Sequence, residues 1–221
     1  MTKQPVIFCD FDGTITKTDN IIALMKRFAP PEWDPIKDDI LAQKVSIQQG
    51  VGDLFKLLST DLKDELVEYL LNYSEIRDGF GEMLDFAKEQ NIPFYVVSGG
   101  IDFFVEPLLH PFKLDPEHIY CNGSDFHGPK IKITWPNSCD DQCDNECGCC
   151  KTTVMRRFPA SEYTRIVIGD SITDLQASKL ADLVYARDFL IQKCAELSIA
   201  YTEFESFHDV INDLKERGIK G

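Results

Sequence analysis

Residues 6–16 read VIFCDFDGTIT. Val6, Ile7, Phe8 and Cys9 form an apolar run without helical spacing, as a strand buried on both faces does. The run ends on Asp10 and Asp12, two carboxylates one residue apart, with Gly13 and Thr14 directly behind them. Strand interiors disfavour Asp, and neighbouring carboxylates repel each other. The rest of the chain must supply whatever makes this arrangement worth its cost.

Outward from that strand the hydrophobic period changes. Ile21, Leu24, Met25 and Phe28 fall on one helical face, and "APPEWDP" stops the pattern. Val51, Leu54, Phe55 and Leu58 repeat it, as do Leu62, Leu66, Tyr69 and Leu70. Residues 17–75 are therefore predicted to form a helical insert, a cap on a core made of residues 1–16 and 76–221. Phe80, Met83, Leu84 and Ala87 predict a core helix, and "FYVVSGG" a second buried strand. A helix around Phe103–Leu109 follows, then a strand at "HIYCNG" and a hairpin turning at Gly128-Pro129. A helix over Lys151–Phe158, a strand at "RIVIGD", a helix over "SITDLQASKLA", a strand at "DLVYA" and a last helix carrying Phe207, Val210, Ile211 and Leu214 complete the chain. Short apolar strands alternating with amphipathic helices predict an α/β, Rossmann-like parallel sheet covered on both faces. Such sheets bind ligands at the carboxyl ends of their strands.

Composition narrows the function classes. The 221 residues are 43% hydrophobic and 27% charged, ordinary for a globular protein. No apolar run approaches the ~20 residues that span a bilayer, and the first residues lack a secretory pattern, so a cytoplasmic location is expected. A formal net charge of −14 argues against nucleic acid or an anionic membrane as a general partner. A small anionic substrate stays compatible, because a bound cation reverses the local field.

The predicted strand ends carry the chemistry. Asp10 and Asp12 close the first strand, Ser98, Gly99 and Gly100 the second, and Gly169-Asp170 a third, with Asp174 one helical turn on. Lys151 opens a helix. Carboxylates, one cation, one hydroxyl and glycine-flanked amides suit phosphoryl transfer with Mg²⁺, a hard ion that takes carboxylate, water and phosphate oxygens. Asp10 is the candidate nucleophile and Asp12 the general acid and base. Ser98, Gly99 and Lys151 are candidates to hold the phosphoryl oxygens.

In that order, "DFDGT", "VVSGG", Lys151 and "GDSITD" resemble the four motifs of the haloacid dehalogenase superfamily. The helical insert after the first motif is similar to its phosphoserine-phosphatase-like branch. The resemblance implies that Asp10, the Asp12 carbonyl and Asp170 ligate the metal and that Asp174 supports them. It also implies a phosphatase, because the dehalogenase branch lacks the second Asp.

Five of the eight cysteines, Cys139, Cys143, Cys147, Cys149 and Cys150, stand directly before Lys151. Without an export signal, reduced thiols or metal ligands are expected rather than disulfides. A structural Zn²⁺, a redox switch and an irregular loop of reduced thiols are all consistent with the spacing. This stretch, after "KITWPN", resembles the small-molecule phosphatases of methionine salvage, and also those of phosphoethanolamine and phosphocholine. The first resemblance implies a phosphate ester of an enolised methylthio diketone as substrate. Phosphoserine and a non-catalytic phosphate- or metal-binding role are the alternatives. In the insert, Phe28, Trp33, Phe55 and Tyr73 can serve a methylthio tail or simply the cap's own core. Asp19 and Asn20 can line the entrance or cap a helix. His110, His118, His127 and His208 lack ligand spacing and are expected to be structural or superficial.

Overall fold

The protein is described by a computed structural model over residues 3–221. The first two residues of the expected 1–16 core segment therefore lie outside the described residues. β1 (Gln4–Cys9) is followed by α1 (Asn20–Phe28), α2 (Trp33–Leu41), α3 (Ile47–Phe55), α4 (Lys63–Tyr73) and α5 (Phe80–Glu89). Next come β2 (Phe94–Ile101), α6 (Asp102–Leu109), β3 (Ile119–Asp125) and β4 (Lys132–Thr134). α7 (Lys151–Arg156), β5 (Tyr163–Gly169), α8 (Leu175–Ser178), β6 (Leu183–Ala186), α9 (Asp188–Glu196), β7 (Thr202–Glu203) and α10 (Phe207–Glu216) complete the fold.

Among the described residues, seven strands form one sheet in the order β4-β3-β2-β1-β5-β6-β7. All neighbours are parallel except the β3–β4 hairpin. β1 sits where the strand order reverses, between β2 and β5, the position at which open α/β sheets leave a crevice. In register, Cys9 lies beside Val96 of β2 and Ile168 of β5, so the residues that follow in all three strands emerge at one edge. Alternate residues of β1 serve the two faces: Ile7 and Cys9 join one apolar cluster, Val6 and Phe8 the other.

The α/β expectation and the helical insertion after β1 both match the structure. The two ends of the insertion are tied together: Thr16 bridges Ile76, and the Lys17 amide donates to the Glu75 carbonyl at 2.8 Å. Its far side docks on the hairpin. Ser59 bridges Lys130, and the Thr60 hydroxyl donates to the Gly128 carbonyl at 2.6 Å. α5 packs against α10, and its Phe80 meets Phe94 of β2.

Local readings differ in several places. α2 begins inside the segment read as a stop, because Pro35 stands in its first turn, where the missing amide has no intrahelical acceptor to lose. α9 was not expected; it buries only Leu190 and Cys194 and so leaves a weak periodic signal. The helix expected through Phe158 ends at Arg156. The helix expected over "SITDLQASKLA" is a 3₁₀ turn, Ile172–Asp174, followed by the four residues of α8.

Candidate active site

At the carboxyl edge of β1, β2 and β5 the structure gathers Asp10, Asp12, Ser98, Asp170, Asp174 and Lys151. Asp10 is buried; its Oδ1 accepts from the Phe11 amide at 2.7 Å and its Oδ2 meets Lys151 Nζ at 2.7 Å. Lys151, at the first turn of α7, also donates to Asp174 Oδ1 and, at 3.3 Å, to Thr173 Oγ1. Burial alone would lower the Lys151 ammonium, but Asp10 and Asp174 overcome it and hold its pKa above the ordinary value.

Asp174 is almost wholly enclosed. Its Oδ2 accepts from the amides of Asp170 and Ser171 at 3.2 and 3.1 Å, so both of its oxygens are engaged. Asp170 accepts from Thr14 Oγ1 at 2.7 Å. Burial, then the Asp174 charge, pushes the Asp170 carboxyl up to about 7. Asp10 is raised well above the ordinary carboxylate value by the same two causes, against Lys151. Ligand oxygens of Asp10, Asp170 and Asp174 lie within 4.8 Å of one another. Three crowded carboxylates facing one ammonium leave an excess of negative charge in a buried place, and an oxygen-only donor set of this kind fits Mg²⁺.

Asp12 points away from that cluster. Its Oδ1 accepts from the backbone amide of Asn20 at 2.9 Å and from Asn20 Nδ2 at 2.7 Å, while Oδ2 faces Gly100. Burial and the charge of Asp19 push Asp12 up to about 7, against the two Asn20 hydrogen bonds. Asp19 itself caps α1 by accepting from the Ile22 amide, one of the two uses its position allowed. Asn20 lines no entrance: it is fully buried, donates to Thr16 Oγ1 at 3.0 Å and accepts from Ser74 Oγ.

Two glycines are fixed by the site. Gly13 has φ +78, and a Cβ there would stand 2.3 Å from Asp170 Oδ2. A Cβ on Gly169 would stand 2.3 Å from the Asp174 carboxyl carbon. Gly99 instead faces open space, and the Ser98 hydroxyl accepts from the Gly100 amide at 2.9 Å.

Sequence reasoning missed two supports. Arg77 is buried and donates to the carbonyls of Thr14 and Gly13, both at 2.7 Å, clamping the turn behind Asp12. Asn122, buried on β3, donates to the Gly99 carbonyl at 2.7 Å. Nothing in the sequence marks a side chain whose partners are distant backbone carbonyls.

Four of the five clustered cysteines, Cys139, Cys143, Cys147 and Cys150, come together, whereas Cys149 turns into the core and donates to the Tyr120 carbonyl at 3.5 Å. Phe55 is fully buried against Phe103, so it serves the cap–core packing. Phe28 packs on Tyr69, which stacks on a half-exposed Tyr73; Trp33 lies under Lys37. The histidines are exposed or half-buried outside the site. A cavity of about 800 Å³ opens between α4 and α6, but it contains none of the site residues. Asp64, Glu68, Asp102 and Glu106 on its walls outnumber Lys63 there, a net negative lining that would repel a phosphate.

Known proteins resemble the chain in sequence and in fold. The chain is 56% identical over 215 residues to a 2-hydroxy-3-keto-5-methylthiopentenyl-1-phosphate phosphatase of Geobacillus kaustophilus, covering 97% of each chain. It is 52% identical over 216 residues to the protein of that name from Brevibacillus brevis, covering 98% of this chain and 97% of that one. A substrate-bound phosphoserine phosphatase shares the fold at 18% identity, with a TM-score of 0.71 over 96% of this chain and 99% of the other. The family model described as haloacid dehalogenase-like hydrolase matches residues 7–179, from β1 through the "GDSITD" segment, and the chain belongs to that family.

Proposed function

We propose that this protein is a Mg²⁺-dependent phosphatase that hydrolyses 2-hydroxy-3-keto-5-methylthiopentenyl-1-phosphate in methionine salvage. The observation that carries the substrate is identity above one half across the whole chain, helical insert included, to phosphatases of that name. The insert over residues 17–75 is where substrate choice resides, since the sheet edge offers groups suited only to a phosphate.

Asp10 is the nucleophile. Its Lys151-bound carboxylate attacks phosphorus, the ester P–O bond breaks, and Asp12 gives its proton to the leaving oxygen. Asp12 then takes a proton from water as that water attacks the aspartyl phosphate, releasing inorganic phosphate and restoring Asp10. Ser98, Gly99 and Lys151 hold the phosphoryl oxygens while charge redistributes. Asp10, the Asp12 carbonyl and Asp170 would hold Mg²⁺, with Asp174 supporting them; bound there, the ion neutralises excess carboxylate charge and polarises the phosphoryl group. Asn20 fixes the direction in which Asp12 offers its proton.

The test is Mg²⁺-dependent phosphate release from freshly generated enol phosphate, phosphoserine and phosphoethanolamine. A preference in kcat/KM of about a hundredfold for the enol phosphate, or ~2.7 kcal/mol, is expected. A preference for phosphoserine would overturn the substrate, and no release from any ester would overturn the enzyme reading.

A further inference from the structure

We propose that Cys139, Cys143, Cys147 and Cys150 form a tetrathiolate site for one Zn²⁺, and that this ion anchors the loop that presents Lys151. The four Sγ atoms all lie within 4.8 Å of one another. Cys143 and Cys147 are 3.9 Å apart, close to the edge of about 3.8 Å that a tetrahedron with Zn–S bonds of about 2.3 Å requires. Such a separation is nearly twice an S–S bond, and all eight cysteines are free thiols. The spacing within the four is C-x₃-C-x₃-C-x₂-C, with the non-participant Cys149 directed into the core by the extended backbone at Cys150.

The loop is built to hold this shape. Glu146 and Gly148 take positive φ, 48 and 78, which turns the chain sharply on either side of Cys147. The Cys147 amide donates to Cys139 Sγ at 3.4 Å, an orientation that favours a thiolate. Asp140 is bound by both Arg156 Nε, at 2.7 Å, and Arg156 Nη2, and its amide donates to Thr153 Oγ1, which fastens the loop to α7. Thiolate sulfur selects a soft ion, so this set takes Zn²⁺ while the hard carboxylate set at Asp10 takes Mg²⁺.

Three contacts carry the loop's geometry to the site. Cys150 is bonded to Lys151 in the chain. A Cβ at Gly148 would stand 3.0 Å from the Trp135 ring and 3.2 Å from Asn122 Oδ1, so the loop runs close to Asn122, whose Nδ2 donates to the Gly99 carbonyl. The Glu146 carbonyl accepts from the Gln48 amide of α3, at 3.0 Å, linking the loop to the cap. Ion binding displaces the thiol protons and replaces four independent thiols by one rigid knot, so zinc and turnover are coupled although no thiol touches the reacting atoms.

Elemental analysis of protein purified under reductant, without chelator, should give about one zinc per chain. Zinc should persist in Cys149→Ala and Asp170→Asn and be lost in Cys143→Ser. Because Cys143→Ser can unfold the loop, Co²⁺ exchange into the native chain is the independent measurement, and strong visible bands with thiolate-to-cobalt charge transfer are expected. Removing the zinc under reductant should lower kcat/KM at saturating Mg²⁺ at least about tenfold, and zinc should restore it. A zinc-free native protein with titratable thiols, zinc that survives Cys143→Ser, or disulfides among the four would overturn the site. Zinc removal without any change in turnover would overturn its coupling to Lys151.

Discussion

Asn20→Ala separates the orientation of Asp12 from the integrity of the fold. The asparagine is wholly buried and uses every polar atom: its amide and Nδ2 both reach Asp12 Oδ1, Nδ2 also reaches Thr16, and Oδ1 accepts from Ser74. Alanine keeps the backbone bond to Asp12 and deletes the other three. Thr16 retains its bond to the Thr18 carbonyl at 2.8 Å, so the main loss falls on Asp12 and Ser74. Two weakened half-buried groups cost about 1–3 kcal/mol, which at about 2–4 °C per kcal/mol lowers Tm by roughly 2–12 °C.

Catalytically, a positioned acid is worth about 10²–10⁴-fold, and a carboxyl free to rotate forfeits part of that. We expect kcat/KM for an alkyl phosphate to fall about tenfold to a hundredfold, or ~1.4–2.7 kcal/mol. This constant reports steps up to transfer of the phosphoryl group to Asp10, where Asp12 is needed only as an acid. With p-nitrophenyl phosphate the departing oxygen needs little help, so the loss should be less than about threefold. Both esters are assayed below the Tm of the variant, with circular dichroism verifying the fold. Equal losses on the two esters would refute the orienting role and leave Asn20 as a structural residue.

Other perturbations reach different parts of the site. Gly13→Ala forces a Cβ into left-handed backbone and to within 2.3 Å of Asp170 Oδ2; beyond a backbone cost of about 1–2 kcal/mol, it should raise the Mg²⁺ concentration for half-maximal activity, and an unchanged Mg²⁺ titration would contradict the assignment of Asp170. Lys151→Met removes the cation between Asp10 and Asp174 and should lower kcat by about 10²-fold or more, measured by phosphate release. Far from the chemistry, the Asp209 carboxyl is held below its ordinary value by the amides of Ser206 and Glu205 at the start of α10. A depressed carboxyl contributes stability above its unfolded value of about 3.9 and loses it as pH falls through the folded value. The Tm deficit of Asp209→Asn should therefore be present at pH 6 and vanish on acidification; a pH-independent deficit would show that the charge is not what matters.

The strands that present the site were legible because each carries its own signal: an apolar run that stops abruptly on polar residues. Val6–Cys9 ending at Asp10, "FYVVSGG" and "RIVIGD" all fold as buried parallel strands, and adjacency in the sheet follows from the order reversal at β1. What could not be read was the support. Arg77 and Asn122 act on carbonyls of Gly13, Thr14 and Gly99, and an acceptor that every residue possesses leaves no trace in the sequence. Asn20 was ambiguous for a related reason: an Asx pair before a helix reads as a cap, and Asp19 takes that role, which frees its neighbour to turn inward to Asp12. Among the cysteines, spacing offered five candidates, and only the direction of each side chain distinguishes Cys149 from the other four.

The acidity of the chain and the charge of its substrate are reconciled at the site itself. A protein of net charge −14 repels a phosphate dianion at long range, and Asp10, Asp170 and Asp174 intensify that repulsion where the ester must arrive. Lys151 offsets one of the three carboxylates, and a divalent cation held there offsets the other two, so the ester would meet a neutral pocket. The crowding of Asp10 and Asp12 just past the end of β1 then follows from what each must face. Asp10 faces Lys151 and the carboxylate cluster, where the ammonium, and a cation once bound, favour its anion against the burial that raises it, while Asp12, turned to Asn20, is pushed up to about 7. Fully extended backbone would send two side chains at i and i+2 to the same face. Asp10 and Asp12 instead lie just beyond the end of β1, where the chain enters the turn at Gly13, and that departure from the strand lets one carboxyl face Lys151 and the other Asn20.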